Sequence, residues 1–329
     1  MIPEKLKPNG RQWWIIGIIS GIGLAAYMIL IPWDITGLLS HSHPARTYAE
    51  ALRRVKVMRA DEPQGMNPAC RLQLMTHDKK MPRAIILVHG YTSCPRQFHR
   101  LGRKLYDLGY NVLIAPLPHH GLADRMTEAH AKLRAEEMVT YADDTVDIAQ
   151  GLGRQVVMMG LSAGGVITAW AAQNRSDIKL AVIISPSFGF KKIPSLLTAA
   201  AMNIHMLLPD SFIWKDQVLR EKVLPRYDYP RYSMHALAQI LRLGFATQAA
   251  ARRAPPTAGR IVVVTNANDN TVNNALTMDL VKSWQARSAN VTTYEFAADL
   301  NLGHDLIDPN QPNQKIDIVY PRLIDLLKL

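Results

Sequence analysis

Cysteine is scarce in this sequence, which has only Cys70 and Cys94 among its 329 residues. Two cysteines exclude the disulfide-rich scaffolds that stabilise many small secreted domains. The chain also lacks internal repeats and long low-complexity segments, which excludes solenoid and fibrous architectures. Because hydrophobic residues make up 48% of the chain, its composition suits one large α/β domain with an appendage.

Acidic residues are outnumbered by basic residues, 27 to 38, and the formal net charge is +11. Such a charge favours acidic surfaces such as anionic lipid headgroups. Lysine and arginine do not form blocks interleaved with aromatic residues, so we predict no nucleic acid partner. His41 and His43 form an isolated pair without metal-ligand spacing. We therefore predict no metal and no cofactor, and the oligomeric state stays open.

The run Trp13–Ile31 is apolar, uncharged and about nineteen residues long, enough to cross a bilayer as a helix. Lys5, Lys7 and Arg11 precede it, and this bias predicts a cytoplasmic N-terminus over residues 1–12. Residues 13–31 would then be a transmembrane anchor, with the rest of the chain outside the cytoplasm, periplasmic or extracellular. Two alternatives are a cleaved signal peptide and a buried helix of a soluble domain.

Short apolar strands alternate with helical segments from residue 70 to residue 329. This rhythm predicts a mostly parallel, doubly wound sheet covered by helices on both faces, preceded by a connector over residues 32–69. Residues 186–259 interrupt the rhythm with two apolar helical runs and an aromatic cluster. We interpret this insertion as a helical cap above the carboxyl ends of the strands, the alternative being a second small domain with a structural role.

The segment Gly160-Leu161-Ser162-Ala163-Gly164 has the pattern G-x-S-x-G between an apolar strand and an apolar helix. A serine nucleophile must stand above the sheet, so the strand has to reverse sharply into the helix at Ser162. Gly160 and Gly164 leave room for that turn. The alternative is a glycine-rich turn whose serine only caps the helix.

A serine hydroxyl needs a base, and the base needs a carboxylate that orients it. Asp269 follows the predicted strand Arg260–Thr265, and His304 follows the predicted strand Val291–Phe296. The sequence therefore predicts a catalytic triad of Ser162, Asp269 and His304, in that chain order. Asp299 and Asp305 are rivals to Asp269, although neither directly follows its strand.

With these motifs in order, the chain from about Cys70 to Leu329 resembles the α/β-hydrolases, in particular their monoacylglycerol lipase and carboxylesterase branch. Leu87-Val88-His89-Gly90-Tyr91 and Gly303-His304 complete the resemblance. It implies an α/β-hydrolase fold and an oxyanion hole formed by the backbone amides of Tyr91 and Ala163, with His89 bracing the oxyanion loop. The usual Gly-His-Gly loop of the family is His119-His120-Gly121 here, and the roles of these histidines stay open.

The sequence thus predicts a membrane-anchored serine hydrolase that cleaves a lipid-like carboxylic ester, such as a monoacylglycerol or lysophospholipid. A thioesterase or an acyltransferase would use the same residues, and a catalytically silent binding protein is the alternative from another class. Acyl chain length and alcohol are not predicted. Cys70 and Cys94 flank neighbouring predicted strands, so we expect a disulfide between them, two free buried thiols being the alternative.

Overall fold

A computed structural model describes residues 10–215, 226–312 and 314–328 of the chain. Its helices are α1 (Gly10–Leu30), α2 (Tyr48–Ala60), α3 (His99–Asp107), α4 (Ala135–Leu152), α5 (Ala163–Asn174), α6 (Thr198–Leu207), α7 (Met234–Arg253), α8 (Asn274–Gln285) and α9 (Ile316–Leu326). Its strands are β1 (Gln73–Met75), β2 (Met81–Val88), β3 (Tyr110–Ile114), β4 (Gly153–Leu161), β5 (Ile178–Ile184), β6 (Phe212–Trp214), β7 (Arg231–Ser233), β8 (Ile261–Asn266) and β9 (Val291–Phe296).

Seven strands form the central sheet in the order β1-β3-β2-β4-β5-β8-β9. Among the strands that the structure describes in this sheet, β1 at the edge runs antiparallel to its neighbour and the other pairs are parallel. The predicted fold class, a mostly parallel doubly wound sheet, is therefore confirmed. Because parallel strands end at one edge, the loops that follow β2, β4, β8 and β9 open onto the same side of the molecule.

The core lies on both faces of this sheet, because successive side chains of a strand point in opposite directions. Ile86 and Met158 belong to the buried cluster that includes α4 and α5, whereas Ile85 and Val157 belong to the cluster that includes α3 and α9. Strands buried on both faces are continuous apolar runs. This is why the central strands are recognisable in the sequence.

The insertion between β5 and β8 contains α6, α7 and the two-stranded antiparallel hairpin β6–β7. Residues 216–225 of this predicted cap lie outside the described part of the chain. The hairpin was not predicted, since its strands are only three residues long. Within the described residues, the cap is thus a mixed unit and not purely helical.

The N-terminal apolar run forms helix α1, which is 21 residues long. In the part of the chain that the structure describes, no helix combines the length and the apolar character needed to cross a membrane. The transmembrane span predicted over 13–31 is therefore not supported by the described residues. Residues 1–9 of the predicted cytoplasmic segment lie outside the described residues.

The side chain of Asn203 on α6 joins the end of α1 to the cap. Its amide nitrogen donates to the carbonyls of Ile29 at 2.8 Å and Ile31 at 2.7 Å, and its oxygen accepts from Trp33 N at 3.1 Å. The last carbonyls of a helix have no partner inside the helix, so a buried amide is a suitable cap for them. This contact gives α1 a defined position on the body.

Candidate active site

The backbone reverses direction at Ser162, between the end of β4 and the start of α5. Ser162 has φ 59° and ψ −115°, a conformation that residues with a side chain rarely adopt. A Cβ atom on Gly160 would collide with the carbonyl of Gly164, and one on Gly164 would collide with the carbonyl of Val88. The two glycines therefore allow the strained turn that presents the serine, as the pattern predicts.

The turn after β2 lies directly beside this serine. A Cβ atom built on Gly90 would be 3.5 Å from the Cβ of Ser162. The amide of Ala163 is the first of α5, where backbone N–H groups lack partners within the helix. Among the described residues, the amide of Tyr91 has no hydrogen-bond partner either. The structure thus brings the two predicted oxyanion donors to turns that flank Ser162, with both N–H groups free to bind a ligand oxygen.

His304 contacts Asp269 and neither of the rival carboxylates. Its Nδ1 lies 2.8 Å from Asp269 Oδ2, while Asp269 Oδ1 accepts from the amides of Thr271 at 2.9 Å and Val272 at 3.0 Å. Because an ionised carboxylate only accepts hydrogen bonds, Nδ1 carries the proton and Nε2 is left as the basic nitrogen. The structure therefore pairs the predicted base with the predicted orienting residue.

Burial alone would raise the pKa of the Asp269 carboxyl. The charge of His304, the hydrogen bond to it, and the backbone amides of Val272 and Thr271 outweigh burial, so the pKa lies below its ordinary value. Asp269 is accordingly ionised at neutral pH and able to stabilise a protonated His304.

Within the described residues, no hydrogen bond joins Ser162 to His304. Bonds of this kind are often long in enzymes without substrate and shorten when substrate binds. The structure thus brings Asp269 and His304 into contact, and Ser162 beside the oxyanion turn, but does not show the serine–histidine hydrogen bond itself.

His89 is occupied at both ring nitrogens. Nδ1 donates to the carbonyl of Gly90 at 2.9 Å, and Nε2 accepts from the amide of Leu117 at 2.9 Å. Burial lowers its pKa to about 4, partly offset by the bond to Gly90, so the ring is neutral. His89 therefore ties the oxyanion turn to the loop after β3 and is not available as a base.

The two histidines at the position of the family's Gly-His-Gly loop have different partners. His120 is buried, and its Nε2 accepts from the amide of Thr92 at 3.4 Å, while Nδ1 donates to the carbonyl of Pro118 at 2.8 Å. Burial is the main reason that the pKa of His120 lies well below its ordinary value, and the neighbouring His89 imidazole lowers it further. His119 instead lies 2.9 Å from the carboxylate of Glu137 on α4. His120 supports the oxyanion turn, and His119 points away to α4.

Sequence reasoning missed the contacts between the cap and the oxyanion turn. The Tyr91 hydroxyl lies 2.7 Å from His130 Nδ1 and accepts from the amide of Ser233 at 3.1 Å. The amide of Tyr229 donates to the carbonyl of Thr92 at 2.8 Å. The aromatic cluster in 186–259 was the one sequence signal of these contacts, since Tyr229 stacks on His130 with ring centroids 4.7 Å apart.

Cys70 and Cys94 form a disulfide with their Cα atoms 5.2 Å apart. Both residues are fully buried, and Cys94 lies three positions after Tyr91. The bond connects the oxyanion segment to the chain that leads into β1. Among the described residues, no group of three or more His, Cys, Asp or Glu side chains is arranged to hold a metal ion.

The sequence profile of the alpha/beta hydrolase family matches residues 85–314, well over half of the chain. The chain belongs to the alpha/beta hydrolase family. The resemblance inferred from the motifs is thereby confirmed.

A curated relative, a thermostable monoacylglycerol lipase of Bacillus sp. (strain H-257), is 26% identical over 174 residues. That match covers 51% of this chain and 64% of the relative, so the chain spans less than two thirds of that protein. The relative agrees with the predicted branch of the family.

Two solved structures share the fold. One, from a study of the metagenome-derived lipolytic enzymes LipS and LipT, is 16% identical with a TM-score of 0.60 and covers 79% of this chain and 98% of its own. The monoacylglycerol lipase of Paleococcus ferrophilus is 15% identical, also with a TM-score of 0.60, and covers 78% and 97%. At these identities the likeness concerns the fold alone.

The stability of the folded chain should report the ionisation of Asp269. We expect Asp269→Asn to be less stable than the wild type at neutral pH. A carboxyl that is more acidic folded than unfolded contributes stability above its unfolded pKa and loses it as pH falls through its folded pKa. The difference in free energy of unfolding between the wild type and Asp269→Asn should therefore become smaller as pH falls. Urea unfolding in steps from about pH 7 to pH 3 measures it.

Asp279→Asn is the matched control, because the Asp279 side chain is 62% exposed on α8 and, among the residues described, pairs with Lys282 alone. It should change stability little at any pH. A stability loss in Asp269→Asn that stays constant over the whole pH range would contradict the ionised Asp269–His304 pair.

Proposed function

We propose that this chain is a serine hydrolase of carboxylic esters. The observation that carries the proposal is the strained Ser162, which lies beside the oxyanion turn at the edge of the sheet where Asp269 holds His304 through Nδ1. This combination of a presented hydroxyl, an oriented imidazole and two amides without partners suits acyl transfer through an enzyme-bound intermediate.

In the proposed mechanism, Ser162 Oγ attacks the acyl carbonyl and its proton passes to His304 Nε2. The amides of Tyr91 and Ala163 bind the oxygen as it becomes negative, and Asp269 stabilises the imidazolium. The tetrahedral intermediate then expels the alcohol, which takes the proton from His304. Water enters, loses a proton to His304 and attacks the acyl group on Ser162. The acid then leaves as Ser162 Oγ takes the proton back from His304.

We propose a lipid-like ester as the substrate class. The similarity to a monoacylglycerol lipase supports this proposal, as do the apolar side chains of the cap. Leu196 is 88% exposed and Leu207 is 67% exposed at the two ends of the α6 segment. An apolar surface of this kind near the site would bind an acyl chain by removing it from water. Thioester hydrolysis and acyl transfer to another alcohol use the same residues, and substrate competition separates them.

We also propose that α1 holds the protein at a membrane, with the hydrolase outside the cytoplasm. Trp13 and Trp14 are 60% and 76% exposed on α1, near the exposed Ile18. Tryptophan rings favour the membrane interface. The excess of basic residues before α1 and the Cys70–Cys94 disulfide support an oxidising, extracytoplasmic location.

Ser162 should be the residue that reacts with a fluorophosphonate probe. Ser162→Ala should abolish labelling and lower kcat by at least about a thousandfold, because the nucleophile is lost. The control is Ser283→Ala, because within the described part of the chain the Ser283 hydroxyl on α8 bonds to the Asp279 carbonyl alone. Labelling that survives Ser162→Ala would show that another residue is the nucleophile. A wild type that is neither labelled nor active would favour the catalytically silent binding protein.

The dependence on acyl chain length tests the substrate class. Each methylene that is fully buried contributes about 0.8 kcal/mol, or about fourfold in kcat/KM. We therefore expect kcat/KM for p-nitrophenyl esters to rise with chain length from two carbons and then level off, measured below the aggregation limit of each ester. A flat profile, or a maximum at acetate, would contradict the lipid-like substrate and favour a small-ester esterase.

Binding to vesicles tests the role of α1. The full chain should float with phosphatidylglycerol-containing vesicles, and the double variant Trp13→Ser/Trp14→Ser should bind much more weakly because interfacial rings are lost. Leu108→Ser is the control, since Leu108 is 53% exposed at the end of α3, away from α1. Equal binding of all three proteins would exclude α1 as the membrane contact. Protection of the hydrolase from protease added to spheroplasts, whose outer membrane has been opened, would exclude the extracytoplasmic location.

A further inference from the structure

The side chain of Gln97 bridges two loops that carry different parts of the candidate active site. Its Oε1 accepts from the amide of Gly90 at 2.8 Å, in the oxyanion turn. Its Nε2 donates to Asp305 Oδ2 at 2.6 Å, in the loop that holds His304. Gln97 is only 2% exposed, so both hydrogen bonds are formed away from bulk water.

Asp305 in turn organises the loop that follows His304. Its Oδ1 accepts from the amides of Ile307 at 3.1 Å and Asp308 at 3.0 Å, which closes a tight turn. Its Oδ2 accepts from Gln97 and, at 3.3 Å, from Gln311. A hydrogen bond to an ionised carboxylate is roughly twice as strong as one between neutral groups, so the bond to Gln97 is the strong contact of the bridge.

The cap meets the same loop. The Tyr227 hydroxyl donates to Asp308 Oδ2, and Gln311 also donates to Asp228 Oδ2 at 3.4 Å. Asp228 pairs with Lys215 at 3.3 Å. The charged and titratable groups around Asp305 include His304 beside it in the chain, Asp308 on its own loop, Tyr320 on α9, and Tyr227, Asp228 and Lys215 on the cap.

We propose that Gln97 and Asp305 are positioning residues, which hold the Tyr91 amide and the His304 imidazole in register on one reacting acyl group. This inference rests on the proposed function, since it assigns a role to residues that support the same site. Neither side chain carries a step of the reaction. Gln97 bonds to Gly90, which directly precedes Tyr91 in the chain, and Asp305 directly follows His304.

The physical reason is that the two groups act on one small target. The Tyr91 amide binds the carbonyl oxygen while His304 receives the serine proton, and a misplacement of about 1 Å between such groups can lower a rate about a hundredfold. The two loops follow different strands, β2 and β9, which the sheet order places at separate positions. A direct side-chain bridge sets their separation more tightly than sheet packing alone.

An exchange of donor and acceptor tests the bridge. Gln97→Glu still accepts from Gly90 but places a second acceptor against Asp305. Asp305→Asn keeps the oxygen that accepts from Ile307 and Asp308 but places a donor against Gln97 Nε2. Rotation of the Gln97 amide by 180° does not remove this contact between two donors, because Gln97 Nε2 would then face the amide nitrogen of Gly90, which is also a donor. The double variant restores both bonds, because the carboxylate introduced by Gln97→Glu can accept from Gly90 and from the amide introduced by Asp305→Asn.

Each single variant should lower kcat by about tenfold to a hundredfold with little change in KM, because transition-state alignment is lost and substrate binding is kept. The kcat of the double variant should be at least about tenfold higher than the value expected if the two single effects on kcat multiplied. Gln150→Glu is the matched control, since Gln150 on α4 donates to the Asp177 carbonyl and touches neither loop of the bridge. It should leave kcat unchanged.

A pH profile separates positioning from general loss of structure. In Gln97→Glu, two adjacent carboxylates raise the pKa of one of them, so a shared proton partly restores the bridge as pH falls. The ratio of the kcat of Gln97→Glu to that of the wild type should therefore rise from about pH 8 to pH 6. Thermal unfolding of each variant shows that it is folded at the assay temperature.

These experiments distinguish failure of the positioning proposal from failure of the proposed function. A wild type without esterase activity would contradict the function itself. An active wild type whose double variant is no better than the product of the single variants, or a kcat ratio that does not change with pH, would show that Gln97 and Asp305 are not positioning residues. Recovery in the double variant together with the rising ratio would support the bridge.

Discussion

The strained reversal at Ser162 is the constraint on which the site depends. The first turn of α5 can follow β4 directly only if the chain passes very close to the end of β2, where Gly164 meets the carbonyl of Val88. That closeness places the start of α5 against the oxyanion turn. The same contact therefore presents the serine and brings Gly90 alongside it. The close packing of α5 against the end of β2 thus positions both the nucleophile and the two amide donors.

The hydrogen-bond partners of the two ring nitrogens determine whether each of these histidines is a neutral link or a base. His89 and His120 each contact backbone groups through both nitrogens, and burial lowers their pKa values, so they act as neutral links. His130, with a pKa lowered to about 4 mainly by burial, joins the Tyr91 hydroxyl to the cap. His304 differs from these three because a carboxylate holds one nitrogen and the other is left basic.

The sequence was sufficient for the features that are local or periodic. Buried parallel strands are continuous apolar runs, and β9 spans Val291–Phe296 as predicted. Helix starts depend on less regular signals. Helix α4 begins at Ala135, after a separate short turn, because the Glu137 carboxylate accepts from the Arg134 amide at 2.9 Å. Capping contacts of this kind depend on a side chain one turn away and are weak signals.

Contacts between distant segments could not be predicted. Gln97 meets Asp305 across 208 positions, and Tyr91 meets Ser233 across 142, with no spacing rule that connects them. The triad is an exception, because each of its members lies in a loop that follows a strand and the topology of a parallel sheet brings such loops together. Gln97 and Asp305 lie in such loops as well, but no motif marks them, so only the fold reveals their contact.

The cap divides into two parts with different attachments. Residues 227–233 bond to the oxyanion turn and to the loop after His304 through Tyr229, Ser233 and Tyr227. Because these bonds are largely buried and several must break together, this part is fixed to the reacting groups. The α6 part carries exposed apolar side chains and is tied through Asn203 to α1 instead. The exposed leucines proposed to contact lipid, Leu196 and Leu207, therefore lie outside the residues that bond to the oxyanion turn.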